Sequence, residues 1–117
     1  SPYPLKILEF RPDKRIINRG ESVRFFYKVK NPLRINIWNR DDPNDPLAGP
    51  WKCYHTYHDP KIVSQTTKKV TLQKPGNYSF ELQAWGYDQV TITAKKTPLS
   101  YKAVTVVTVL HKKEPKI

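Results

Sequence analysis

The chain has 117 residues, 38% of them hydrophobic, which suits one domain with one core and not two. No apolar run approaches the roughly 20 residues of a membrane-spanning helix, so no helical transmembrane segment is expected. The formal charge of +11 invites a polyanion, yet the basic residues are scattered from Lys6 to Lys116, the pattern of a solvated surface. Cys53 is the single cysteine, so no disulfide forms within the chain and cysteine pairing says nothing of compartment. The chain starts at Ser1 without a signal peptide and is read as a processed protein or as part of a larger chain or assembly.

Prolines outnumber glycines 11 to 4, and between these breaks lie short runs rich in Val, Ile, Thr, Phe and Tyr. Leu5 to Phe10 reads as a strand ended by an Arg11-Pro12-Asp13 turn, and Ile16-Ile17 as a short piece before a turn at Arg19-Gly20. From Glu21 to Lys30 the chain alternates, with Val23, Phe25, Tyr27 and Val29 opposite Arg24, Phe26, Lys28 and Lys30. After Asn31-Pro32, Leu33, Ile35 and Ile37 form an inward face against Arg34, Asn36 and Trp38. Residues 39–50 are a loop of turn formers. Trp51 to Tyr57 reads as an aromatic edge strand, and Lys68 to Gln73 as a strand with Val70 and Leu72 inward.

Past Lys74-Pro75-Gly76, Tyr78, Phe80, Leu82 and Ala84 alternate with Ser79, Glu81, Gln83 and Trp85. Gln89 to Ala94 is a candidate hairpin extension, and Ala103 to Leu110 is the last strand, with Val104 and Val106 assigned inward. The ordered core spans about residues 5–110, and 111–117 form a tail. Seven to nine short strands with frequent turns predict an all-β antiparallel sandwich occupying the whole chain, 1–117.

Three segments carry a resemblance. Gly20-Glu21-Ser22-Val23-Arg24-Phe25, Pro75-Gly76-Asn77-Tyr78-Ser79-Phe80-Glu81-Leu82 and Val104-Thr105-Val106-Val107-Thr108-Val109 resemble the immunoglobulin-like modules of bacterial and archaeal surface proteins, including the polycystic-kidney-disease-type repeats. The resemblance implies a Greek-key sandwich, a structural corner at Tyr78, and an extracytoplasmic setting: periplasmic, secreted or at the cell surface. Antibody-type domains have cysteines at the positions of Tyr27 and Phe80, so the resemblance implies an aromatic contact in place of a disulfide. Ile37-Trp38-Asn39-Arg40-Asp41-Asp42 lacks the glycine and phenylalanine of the repeat family's signature.

Candidate chemistry is sparse. Cys53 and His55 share a strand face, about 7 Å apart by the strand rise, which could begin a copper or zinc site, but His58 falls on the opposite face. Asp41, Asp42 and Asp45, with Asn44, offer oxygen ligands of the kind calcium prefers, but the loop centre lacks glycine, two prolines restrict convergence, and Asp-Pro turn chemistry alone explains them. No nucleophile elbow, phosphate-cradling glycine loop or zinc-protease helix is present, so the reading is non-enzymatic and without a cofactor.

The aromatic residues are more informative. Trp38 and Trp85 are expected outward on one sheet, about 20 Å apart, among Arg34, Arg40, Glu81 and Gln83. That predicts a non-catalytic binding or spacer module engaging a protein. The alternatives are a polysaccharide-binding accessory domain using Trp38, Trp51 or Trp85, and a metal carrier centred on Cys53 and His55. Nucleic acid is disfavoured, because Phe26 with Arg24 and Lys28 is expected on a different sheet from Trp38 with Arg34.

Overall fold

The structure, a computed structural model, describes residues 4–44, 46–47, 61–87 and 98–112. Among these residues there is no helix, and nine strands form three sheets. In chain order they are β1 (Lys6–Pro12), β2 (Ile16–Asn18), β3 (Ser22–Val23), β4 (Phe25–Lys30), β5 (Arg34–Asn39), β6 (Ile62–Thr66), β7 (Val70–Thr71), β8 (Gly76–Tyr87) and β9 (Pro98–Leu110). One sheet runs β1-β4-β6, the second β2-β9-β8-β5, and β3 pairs with β7. All pairs are antiparallel except β2 with β9, which is parallel. The expected strand at Trp51 to Tyr57 and the hairpin at Gln89 to Ala94 lie outside the described residues.

The period-two pattern explains the two larger sheets. Val23, Phe25, Tyr27 and Val29 turn inward from β3 and β4, and Ile35, Ile37, Phe80, Leu82 and Ala84 turn inward from β5 and β8. They join one core with Leu5, Ile17, Leu47, Val63, Leu72, Val107 and Val109, drawn from both sheets, so the arrangement is sandwich-like. Its centre is aromatic, with Phe25 meeting Phe80 at 4.5 Å and Phe10 at 5.7 Å between ring centroids. The ring contact to Phe80 therefore comes from Phe25, one pleat along from the expected Tyr27, whose hydroxyl donates instead to Gln65.

The last strand departs from expectation. It begins at Pro98, five residues before Ala103, and Val104 and Val106 are 49% and 46% exposed rather than buried. Its pairing with β8 fixes this: Phe80 faces Thr105 and Tyr78 faces Val107, so the odd-numbered residues share the core face. Val and Thr occupy both faces of that segment, and composition alone could not choose between them. Tyr78 and Val70 are partly buried against the core rather than fully inside it. Strand β6 was not expected at all, and the 68–73 strand shrinks to Val70–Thr71.

Between the β4–β6 and β3–β7 ladders the register slips by one residue, and Thr67 fills the irregularity. Its buried hydroxyl accepts from the Phe25 N–H and donates to the Lys68 carbonyl. At the other end of β4, Asn31 is fully buried with φ of 57°, a left-handed conformation that asparagine tolerates better than most residues. Its amide donates to the Pro4 carbonyl and accepts from the Lys61 N–H, tying the starts of β1 and β6 to the end of β4. Gly20, at φ 88°, makes the turn from β2 into β3, and its N–H donates to Leu72.

Candidate interaction face

The solvent side of the β2-β9-β8-β5 sheet collects most of the expected binding residues. Antiparallel pairing sets Arg34 opposite Trp85, Asn36 opposite Gln83 and Trp38 opposite Glu81. On the far side of β8, Gln83 faces Lys102, Glu81 faces Val104 and Ser79 faces Val106. Trp38, Glu81 and Val104 thus form a row across three strands at the centre of the face.

Trp38 and Trp85 are both half-buried on this face. Their offset is four residues of strand, which places them about 14 Å apart by the strand rise instead of about 20 Å. The Arg34 guanidinium lies over the Trp85 ring at 4.7 Å, so one face of that indole is already occupied by a cation. Between the tryptophan rows, the Asn36 carboxamide oxygen is buried and has no hydrogen-bond partner. Glu81, only 9% exposed, sits beside Trp38 and Val104 although it belongs to an outward-facing set. Gln83 donates to the Ser100 hydroxyl at the Trp85 end of the face. Arg40 is exposed just past β5, where its N–H donates to the Ser79 carbonyl.

The parity of β5 and β8 made Trp38, Trp85 and Arg34 readable in advance. Val104 and Val106 belong to this face and not to the core, where the sequence pattern alone places them. The unpaired Asn36 oxygen has no sequence signal, since it depends on which groups come within reach in three dimensions.

Other candidates are placed elsewhere. Tyr78 donates its hydroxyl proton to the Lys74 carbonyl at 2.6 Å, bracing the bend that precedes β8. Asp41 and Asp42 are exposed, and their N–H groups donate to the side chain and backbone carbonyl of Asn39, a local turn. Trp51, Cys53, His55, His58 and Asp45 lie outside the described residues. Among the described residues no three His, Cys, Asp or Glu side chains gather as a metal site would require, and no helix is long and apolar enough to cross a membrane. Phe26 stacks under Arg11, at 4.7 Å, on the β1-β4-β6 sheet, away from the tryptophans, and Arg11 also pairs with Glu9.

Compared with protein-family models, curated proteins and solved structures, the chain matches none.

Proposed function

We propose that this chain is an immunoglobulin-like Greek-key module of an exported protein, and that it binds a protein partner through the outer face of its four-stranded sheet. The strand order β1-β4-β6 against β2-β9-β8-β5, the parallel β2–β9 pair and the Tyr78 corner bond support the fold reading. The exported setting goes with the surface-module resemblance of the segments around Gly20, Tyr78 and Val104.

One observation carries the functional reading. Two half-buried indoles flank an unpaired, buried Asn36 oxygen on a solvent-facing sheet. Partly apolar aromatics with an unsatisfied acceptor between them suit a partner that brings both apolar area and a donor. Sugar stacking is less well served, because Arg34 already covers a face of Trp85.

The test compares the wild-type chain with Trp38→Ala, Trp85→Ala and the double variant, on an extracellular-protein display library and on a glycan array. Protein binding that weakens at least about tenfold in both single variants, with the thermal midpoint retained, is the expected result. A glycan signal lost in the same variants would move the face to the polysaccharide reading, and unchanged binding in the double variant would remove the face from consideration.

A further inference from the structure

Among the described residues the upper part of β9 has no hydrogen-bonded strand on the side away from β8, although β1 of the facing sheet packs against β9. Only Thr108 to Leu110 pairs with β2 below, at residues 16–18, and among the described residues no strand pairs with the same edge from Ser100 to Val106. The orientation of that edge is fixed by two bonds: the Thr108 N–H donates to Arg15, and the Leu110 carbonyl accepts from Arg19, both on the β2 side. Because β9 pairs with β8 through twelve residues without a register shift, Ser100, Lys102, Val104 and Val106 aim their N–H and C=O groups at the same side as Thr108.

The β1 and β5 edges are blunted. β1 carries a register irregularity between Ile7 and Glu9 and ends in Pro12, and the β5 edge has its Ile37 carbonyl taken by the Leu47 N–H. The β9 edge at 100–106 has neither proline nor bulge. Its apolar side chains are also left uncovered: Val104 and Val106 on the outer face, and Tyr101, 49% exposed although it shares the core-facing parity of Val107.

Basic residues outnumber acidic ones around this stretch, and Glu81, opposite Val104, is almost buried. β9 carries no acidic residue, Lys102 stands midway along the free stretch, and Lys14 and Arg15 lie at its lower end beside Thr108. A second copy would bring the same basic edge and another +11 of net charge, so self-pairing is opposed.

We propose that residues 100–106 of β9 accept an extended segment of a partner protein, apolar at its centre and acidic at its ends, as an additional strand collinear with β2. Its backbone would fill the vacant ladder groups, its central side chains would cover Val104, Val106 and Tyr101, and its acidic ends would meet Lys102 and Arg15. This surface shares Val104 and Val106 with the outer face that carries the tryptophans, but it rests on the β9 backbone edge and not on the indoles, so its test does not depend on them.

The probe is an acetylated, amidated nonapeptide with glutamates at both ends and alternating valine and threonine between, titrated into the isotopically labelled chain. Expected are sub-millimolar binding at low salt and perturbation and exchange protection of the Lys102, Val104 and Val106 amides. Affinity should fall about threefold or more on raising salt. A peptide N-methylated at alternate amides should bind about tenfold more weakly, because its charge is unchanged and its ladder donors are gone. Val104→Pro, whose missing N–H makes no bond to β8, should lose binding likewise, and Lys102→Glu, a fully exposed change, should weaken it even if the proline variant is unstable. Trp38→Ala, two strands away on β5, should leave the roughly tenfold penalty for N-methylation in place, which distinguishes loss of this site from loss of the tryptophan face. The proposal is overturned if these amides stay unperturbed at about 1 mM peptide, if the methylated peptide binds equally well, or if sedimentation shows a dimer whose Val104 and Val106 amides are already protected.

Discussion

Phe25 and Phe80 face each other from opposite sheets with their ring centroids 4.5 Å apart, both fully shielded from solvent. Each ring fills space that no neighbour can take over, so truncation leaves a cavity as well as losing transfer energy. Phe80→Ala is expected to cost about 3–5 kcal/mol, read as a lowered urea midpoint, with Phe25→Ala similar. Phe26→Ala, on the outer surface beneath Arg11, should cost clearly less; equal losses would contradict the two-sheet core.

Asn31 does two things at once, and two variants separate them. Asn31→Ala orphans the Lys61 N–H and the Pro4 carbonyl and also puts alanine, which tolerates the left-handed conformation less well than asparagine, at that φ. The expected loss is about 2–4 kcal/mol. Asn31→Gly removes the same hydrogen bonds but relieves the backbone, so it should recover about 1 kcal/mol of that loss. If the two denature alike, the φ of 57° carries no strain.

Tyr78→Phe deletes a single hydroxyl and its 2.6 Å bond to Lys74. That bond is solvent-exposed, so the expected effect is small, about 0.5–1 kcal/mol. Amide exchange should rise first at the 74–77 bend, before any change in the core.

Gly86→Ala tests a close approach. A Cβ there would stand 2.8 Å from the Leu5 Cβ and 3.1 Å from the Asn31 carbonyl oxygen. The start of β1 must move away, at about 1–3 kcal/mol by the overpacking scale. A Leu5→Ala change in the same chain should rescue part of it; no rescue would mean the clash is taken up by the Asn31 turn.

Strands β4, β5 and β8 were legible because each alternates apolar with polar over six or more residues, leaving one choice of inward face. Strand β6 was not, since only Val63 of its five residues is buried and Ile62 is 53% exposed. The face of β9 was misread for the opposite reason: valines line both sides, and only the partner strand selects Val107 and Val109 for the core. At the candidate face, residue type and parity revealed the two indoles. The 14 Å spacing needed the Arg34–Trp85 register, and the Arg34 stack and the stranded Asn36 oxygen needed three dimensions.

The parallel contact of Ile16–Asn18 with Thr108–Leu110 joins segments about ninety positions apart in the chain. Residues 16–18 must therefore wait until residues 108–110 have been synthesised before this seam can zip, a long-range closure of the kind that slows folding. Chains truncated before residue 108 should accordingly be trapped as open, protease-sensitive intermediates.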